Sequence, residues 1–100
     1  MIFCLDWDGT LVDVETQEWL PGAVRAVKDL LRAGHDVVVC SCRATWPEGL
    51  EQIEGQLREA RLGSVPVSAV KPYADVYVDD KAVVFGGDWA VCFEQLKGLR

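Results

Sequence analysis

The stretch Ile2-Phe3-Cys4-Leu5-Asp6-Trp7-Asp8-Gly9-Thr10-Leu11 decides the fold of this chain and carries its strongest chemical signal. Its first part, residues 2–5, is a continuous apolar run that acidic and turn-forming residues end. A short apolar run bounded in this way is typical of a strand buried on both faces of a sheet. Two carboxylates, Asp6 and Asp8, therefore follow directly after a predicted buried strand.

Strand and helix patterns alternate along the rest of the chain. Pro21-Gly22 precedes apolar residues at spacings of three and four, which predicts a helix that stops at Gly34. Similar signals predict a second helix from Pro47 to Gly63, a third near 89–96, and further strands at 37–40, 67–70, 75–78 and 82–85. This alternation predicts an α/β fold, with a mostly parallel five-stranded sheet in three layers and helices on both faces.

The bulk properties fit one globular domain, residues 1–100. Half of the residues are hydrophobic, and 16 acids against 10 bases give a net charge of −6. An acidic chain gains no long-range attraction to nucleic acid, so its charge disfavours such a partner without excluding it. The first apolar stretch stops at Asp6, and no apolar run approaches the roughly 20 residues of a membrane span. We expect no signal peptide and no membrane partner.

The four cysteines lack the spacing of a zinc site or a secreted disulfide framework. Most of them lie inside apolar runs, where cysteine behaves as a small buried hydrophobic residue. Reduced structural thiols are the rule in the cytoplasm, so we expect a cytoplasmic protein.

Several polar side chains follow the ends of predicted strands: Asp6, Asp8, Ser41, Lys71, Asp79 and Asp80. Ligands of open parallel sheets bind at the carboxyl ends of the strands, so we expect these side chains to meet at one edge. A carboxylate is a competent nucleophile toward phosphorus, but at 4 Å an anionic substrate repels it by about 4 kcal/mol at an effective dielectric constant of 20. A lysine and a magnesium ion, which prefers oxygen ligands, would offset that repulsion. Ser41 would then donate to a phosphoryl oxygen, and Asp8 would act as acid and base.

The segment Asp6-Trp7-Asp8-Gly9-Thr10-Leu11 resembles the Asp-x-Asp-Gly-Thr-Leu signature of the haloacid dehalogenase (HAD) superfamily. Ser41, Lys71 and Asp79-Asp80 follow in the order of the remaining motifs of that family, so the resemblance covers residues 2 to about 85. It implies a Rossmann-like HAD fold and a magnesium-dependent phosphatase, a phosphate-monoester hydrolase.

The resemblance also implies a role for each matching residue. Asp6 would be the nucleophile and a Mg²⁺ ligand, while Asp8 would be the acid/base and would give the metal only its backbone carbonyl. Either Asp79 or Asp80 would complete the metal site, and the sequence does not decide between them. The candidate phosphate-binding residues are Thr10, Ser41, Cys42, Arg43 and Lys71.

Family members that act on small metabolites carry a cap domain, and this sequence has no room for one. Residues 11–20 hold one small loop, and residues 43–70 hold one helix and one strand. An open site favours a bulky or polymeric phosphorylated substrate, or closure by a partner subunit in a homo-oligomer. Ser41-Cys42-Arg43 and Asp79-Asp80-Lys81 also resemble stretches of the phosphatase domain of polynucleotide kinase-phosphatases, with Lys81 in place of arginine.

Alternatives stay open for the function as a whole and for single residues. The chain could process 3′-phosphorylated ends of nucleic acid, or it could keep the fold as a non-catalytic binding module. The aspartates and Ser41 are also common turn residues, Lys71 could be a solvated surface lysine, and Arg43 could bind an adjacent acid instead of a substrate phosphate. Four aromatic residues in predicted loops could stack on a substrate or pack on the domain itself: Trp7, Trp19, Trp46 and Tyr73. We expect no catalytic role for His35.

Overall fold

The structure is a computed structural model, and it describes residues 1–99. Its strands are β1 (Ile2–Asp6), β2 (Asp36–Cys40), β3 (Val67–Ser68) and β4 (Val76–Val78). Its helices are α1 (Ala23–Arg32), α2 (Pro47–Glu59) and α3 (Trp89–Lys97), with a 3₁₀ turn at Cys42–Thr45 before α2. These strands pair in parallel in the order β3-β2-β1-β4. The predicted α/β class and parallel sheet are therefore confirmed.

Local chain geometry sets the limits of the first two helices. Gly34 follows α1 with φ 88, a left-handed conformation that favours glycine. Pro47 opens α2, where its missing N–H leaves no helical bond unmade. The second helix ends at Glu59 instead of the predicted Gly63, because Arg61 takes a left-handed φ of 62 and the Leu62 amide donates to the Leu57 carbonyl at 2.7 Å. That bond closes the end of the helix as a Schellman motif does.

The main hydrophobic core lies between one face of the sheet and helices α1 and α2. The register pairs Phe3 with Val37 and Leu5 with Val39, which puts these side chains on one face. The same buried cluster contains Val27 of α1 and Ile53 and Leu57 of α2. Both helices therefore cover the same face, as right-handed crossovers from β1 to β2 and from β2 to β3 require.

The second face of the sheet is crossed by an extended segment, residues 69–75, that leads from β3 to β4. The Tyr77 hydroxyl fixes this segment, since it accepts from the Ala74 amide at 3.0 Å and donates to the Pro72 carbonyl at 2.7 Å. Cys4 lies on this face and is buried with 4% of its surface exposed. Within residues 1–99, helix cover of this face is not confirmed, and neither is the predicted third layer.

The predicted fifth strand is not confirmed either, because residues 82–85 pair with no strand in the described part of the chain. Residues 82–99, here called the arm, run through a turn at Gly86-Gly87 into α3, whose N-cap Asp88 accepts from the Ala90 amide at 2.8 Å. Helix α3 makes no extensive contact with the other helices and strands described. The Cα radius of gyration is 14.9 Å, whereas a compact chain of this length has about 13 Å.

The structure also bears on the expectations for a membrane span and for the cysteines. The helices of residues 1–99 include none that is long and apolar enough to span a membrane. The four cysteines are free, and both Cys4 and Cys92 are buried, as expected for structural thiols. Burial raises the pKa of Cys4 to about 11, with a smaller contribution from the neighbouring thiol of Cys40. This pKa keeps the Cys4 thiol protonated and unreactive.

Candidate active site at the carboxyl edge of the sheet

Three carboxylates converge where β1 and β4 end. Strands β1 and β4 are parallel neighbours with Leu5 opposite Val78, so Asp6 and Asp79 leave the sheet side by side. Carboxylate oxygens of Asp6, Asp79 and Asp80 all lie within 4.8 Å of one another. The structure thus brings together residues more than 70 positions apart, as the sequence pattern predicts.

Gly9 makes the close approach of Asp80 sterically feasible. A Cβ built on Gly9 would lie 2.8 Å from Cγ of Asp80, and its φ of 80 disfavours other residues. The neighbouring Thr10 hydroxyl is buried and has no hydrogen-bond partner among the described residues. An unsatisfied buried hydroxyl is uncommon in folded proteins, and a polar ligand is one group that would satisfy it.

The carboxylate cluster is electrostatically strained. Burial, together with the negative charges of Asp79, Asp80 and Asp8, raises the pKa of Asp6, although a hydrogen bond from the Trp7 amide acts in the opposite direction. Lys81 compensates only part of the charge: its Nζ lies 3.1 Å from Asp80 Oδ2, and its side chain is 83% exposed. The hydrogen bond from Lys81 lowers the pKa of Asp80. The negative charge of these three acids is therefore only partly compensated by Lys81.

Asp8 lies in a different electrostatic environment from Asp6. Arg43 Nε donates to Asp8 Oδ2 at 2.7 Å, and Gln17 Nε2 donates to Asp8 Oδ1 at 2.6 Å. Burial alone would raise the pKa of Asp8, but these two hydrogen bonds and the charge of Arg43 outweigh it and lower the pKa. Both carboxylate oxygens of Asp8 are therefore satisfied by the protein.

Gln17 is a site residue that the sequence analysis missed. It lies in the loop between β1 and α1 with a left-handed φ of 60, which is unusual for a residue other than glycine. Its side-chain carbonyl accepts from Trp7 Nε1 at 3.1 Å, and its backbone carbonyl accepts from Gln56 Nε2 at 2.7 Å. No pattern in the sequence distinguishes Gln17, because its position depends on this loop conformation and on contacts with α2.

The segment after β2 brings Ser41 and Arg43 to the same edge. Ser41 is buried, and its Oγ accepts from the Arg43 amide at 3.2 Å. Ser41 thus caps the 3₁₀ segment as a turn residue does. Its hydroxyl proton stays available for donation to a ligand, and its phosphate-binding role stays a prediction. Arg43 binds the adjacent acid Asp8 in this structure, one of its two predicted partners. Cys42 is exposed in the first turn of the 3₁₀ segment, and its phosphate-binding role stays a prediction.

Lys71 borders a small cavity next to Asp6. The cavity has a volume of about 140 Å³ and lies on the second face of the sheet, and its lining residues include Cys4, Asp6, Cys40, Lys71, Tyr77 and Asp79. The Lys71 Nζ lies 4.3 Å from the centre of the Tyr77 ring, in a cation–π contact. Lys71 is exposed to solvent, as a surface lysine would be, but it also shares a cavity with two of the clustered acids.

Burial divides the four aromatic candidates. Trp7 is fully buried and packs edge to face on Trp19 with ring centres 5.2 Å apart, so the idea that Trp7 stacks on a substrate is wrong. Trp46 and Tyr73 are exposed at 63% and 77%. His35 binds the N-terminal amine of Met1, at the end of β1 opposite to Asp6.

Comparison with known proteins supports the fold alone. A solved structure of a conserved protein from Bacteroides thetaiotaomicron aligns with a TM-score of 0.72 and 26% sequence identity, over 97% of this chain and 89% of that one. No protein-family model and no curated protein matches the sequence.

Proposed function

We propose that this chain is a magnesium-dependent phosphate-monoester hydrolase of the HAD type, with Asp6 as its nucleophile. The observation that carries the proposal is the meeting of Asp6, Asp79 and Asp80 at the ends of two neighbouring parallel strands. Turn chemistry alone explains an aspartate after one strand. It does not explain three carboxylates within 4.8 Å of one another, with a glycine opposite to admit the third.

The donor set suits magnesium. Carboxylate oxygens are its preferred protein ligands, and Mg²⁺ keeps open positions for water and for a substrate phosphate. Asp6, Asp79 and Asp80 would hold the ion, together with the backbone carbonyl of Asp8. When bound, the ion neutralises the acids and the phosphoryl oxygens, which lets two anions approach.

The first chemical step falls to Asp6. A carboxylate oxygen of Asp6 attacks phosphorus, the bond from phosphorus to the leaving oxygen breaks, and an aspartyl-phosphate remains. Lys71, which lines a cavity with Asp6, and the Ser41 hydroxyl would orient the phosphoryl oxygens. The Thr10 hydroxyl, buried without a partner, is a further donor on the loop that carries Asp8.

Asp8 would give its proton to the leaving oxygen and then take a proton from the water that hydrolyses the aspartyl-phosphate. The hydrogen bonds from Arg43 and Gln17 favour its ionised form, which is the form a base needs. The acid role needs a protonated Asp8, and protonation is easier when Arg43 turns from Asp8 to a substrate phosphate. Arg43 would thus contact the acid/base in the free enzyme and the substrate in the complex.

A second candidate function, removal of 3′-phosphates from nucleic acid, gains support from one exposed side chain. Trp46 is 63% exposed, and its amide donates to the Arg43 carbonyl at 3.2 Å. An exposed indole on the segment that carries Arg43 is suited to stacking on a base. The net charge of −6 acts against a long polynucleotide contact, so a short end or a single nucleotide is the better match.

The experiment is a phosphate-release screen with magnesium, with EDTA, and with magnesium restored after EDTA. Its panel holds para-nitrophenyl phosphate, sugar phosphates, nucleotides, and oligonucleotides phosphorylated at the 3′ or 5′ end. Magnesium-dependent release supports the proposal, and preference for the 3′-phosphorylated oligonucleotide selects the second candidate. Magnesium binding without turnover on the whole panel would overturn the enzyme proposal in favour of a non-catalytic module.

A further inference from the structure

We infer that two copies of this chain associate by exchanging their arms, so that residues 82–85 of each copy extend the sheet of the other at β4. The inference is independent of the proposed chemistry. It starts from the composition of the arm, in which only Asp88, Glu94 and Lys97 are charged. The large apolar side chains of the arm are exposed: Val83, Val84, Phe85, Trp89, Val91, Phe93, Leu96 and Leu99.

The arm buries little beyond its own residues. Phe85 packs on Trp89 with ring centres 4.9 Å apart, and Cys92 is buried beside Val84 and Val91. These contacts join the extended part of the arm to α3 but leave Trp89 68% exposed and Val84 90% exposed. Contiguous apolar surface of this kind marks a contact surface in soluble proteins.

The rest of the domain, residues 1–81, is here called the body. It has an unpaired strand edge with which an extended segment can pair. Strand β4 ends the sheet and pairs on one side only, with β1. The Asp75 amide donates to the Ile2 carbonyl at 2.8 Å, so by alternation the amides of Val76 and Val78 point to the open side. An unpaired edge strand is a template for pairing with another chain.

The chain's own arm does not fill this edge. Residues 79–81 are too few for the crossover of about a dozen residues that a second parallel strand needs. No antiparallel hairpin forms across them in the described chain either, because residues 82–85 pair with no strand. Local contacts also fix residues 79–81: Asp79 Oδ1 accepts a hydrogen bond from the Lys81 amide at 2.7 Å, and the Asp80 carboxylate binds Lys81 Nζ. The chain therefore leaves the sheet at the site and carries an apolar strand-forming segment outward.

A second copy has both missing parts. Each copy has a sheet edge at β4 without a neighbouring strand and an apolar segment, residues 82–85, without a sheet, so a two-fold exchange satisfies both at once. The arm aromatics, at about 200 Å² each, leave on the order of 350 Å² of apolar surface exposed per arm. Two arms and the equal areas they cover amount to roughly 1,400 Å², which is the size of a standard stable interface.

The first test is the mass of the full chain in solution, by light scattering or sedimentation at about 50 µM. We expect twice the chain mass of 11.1 kDa, and a monomer under these conditions would overturn the inference. Trp89→Ser should raise the dimer dissociation constant about 10- to 100-fold. Trp46→Ser, which removes an indole of similar exposure outside the arm, should leave the constant unchanged.

A second variant and a second measurement keep the test independent of folding. Val84→Lys changes a side chain that is 90% exposed, so the monomer should keep its circular dichroism spectrum while the dimer is lost. Amide hydrogen exchange should show protected amides at Val76, Val78 and residues 83–85 in the wild type and fast exchange there in Val84→Lys. A dimer that survives both arm substitutions, or fast exchange at β4 and the arm in the wild-type dimer, would exclude arm exchange.

Discussion

The candidate site has two halves, one around Asp6 and one around Asp8, whose surroundings shift the pKa of the carboxylate in opposite directions. Around Asp6, three acids face one another, and the pKa of Asp6 is raised by burial and by its acidic neighbours. Around Asp8, 26% of whose side chain is exposed, an arginine and a glutamine satisfy both oxygens and lower the pKa. The negative charge of the first half is therefore only partly compensated, whereas the described residues satisfy both carboxylate oxygens of Asp8.

This difference distinguishes contacts that stabilise the fold from a group of acids that the fold does not require. The contacts of Asp8 bring together the loop before α1 and the segment after β2, so they have a structural reason of their own. Asp79 and Asp80 have local contacts with Lys81, but those contacts do not require Asp6 to face them. Grouping three like charges destabilises the fold unless a ligand compensates. Under the proposed function, a bound cation would supply that compensation, and substitutions that act on one half alone test this difference.

The largest expected effect is that of Asp6→Asn on turnover. An amide oxygen does not replace the carboxylate as a nucleophile, so phosphate release should fall by about 10³-fold or more. The matched control is Asp36→Asn, which changes an exposed acid at the opposite end of β2 and should leave turnover unaltered. An Asp6→Asn variant as active as the control would remove Asp6 as the nucleophile.

Asp8→Asn comes next, with a loss of roughly 10²–10⁴-fold in turnover. The variant keeps the nucleophile but has no group to donate or accept the proton, so it should also hydrolyse the aspartyl-phosphate slowly. Acid quenching of the reaction with a radiolabelled phosphoryl donor should show label on the variant protein. A variant that turns over normally would leave Asp8 with a structural role only.

Gln17→Gly tests whether the loop positions Asp8. The variant removes a side chain that donates to Asp8 at 2.6 Å, and glycine accepts the left-handed backbone of this position. Loss of one hydrogen bond to a carboxylate corresponds to about 1.5 kcal/mol, so we expect roughly a tenfold fall in kcat with little change in KM. The pH dependence of kcat should shift as well, because the pKa of Asp8 loses one of the hydrogen bonds that lower it.

The matched control for Gln17→Gly is Gln52→Ala, which truncates an exposed glutamine on α2 that makes no hydrogen bond to Asp8 in the described chain. An unchanged pH profile in Gln17→Gly, with a kcat equal to that of Gln52→Ala, would show that Gln17 does not position the acid/base.

Much of the half around Asp6 could be predicted from the sequence, and the reason is topological. The pattern of buried strand followed by acid fixes both the strand and the edge of the sheet at which its acid emerges, so Asp6, Asp79 and Asp80 meet wherever β1 and β4 are parallel neighbours. Only part of the half around Asp8 can be predicted from the sequence. The sequence leaves Arg43 open between a substrate phosphate and an adjacent acid, and the position of Gln17 depends on a non-repetitive loop that no periodic pattern encodes.

The errors in the fold prediction lie mostly where the apolar pattern lacks a partner in the same chain. Residues 82–85 have strand composition, but a strand exists only when an edge pairs with it, and the three residues after β4 do not return the chain to its own sheet. The predicted helix cover on the second face is not confirmed for a related reason, since an extended segment, 69–75, crosses that face and α3 lies in the arm. The local sequence pattern predicted the helices and strands of the body. It could not predict that residues 82–85 and α3 lack partners in the rest of the described chain.

The smallest expected effect, and the sharpest in sign, is on thermal stability. Because burial and the neighbouring acids raise the pKa of Asp6, the folded protein keeps a proton on Asp6 at pH values where the unfolded chain has lost it. Its contribution to stability is therefore lost as the pH rises through the raised pKa. In EDTA, Asp6→Asn should melt a few degrees above the wild type at pH 7, and the difference should vanish below about pH 4.

Magnesium should reverse that order at pH 7. At ten times its dissociation constant, the ion should stabilise the wild type by about 1.4 kcal/mol, which is several degrees in Tm for a domain of this size, and the variant much less. The expected reversal has a single cause, since the same charge that destabilises the metal-free fold would bind the metal. Calorimetry of both proteins with and without the ion measures it, and melting temperatures that keep the same order in both conditions would mean that the acids at this edge do not form a metal site.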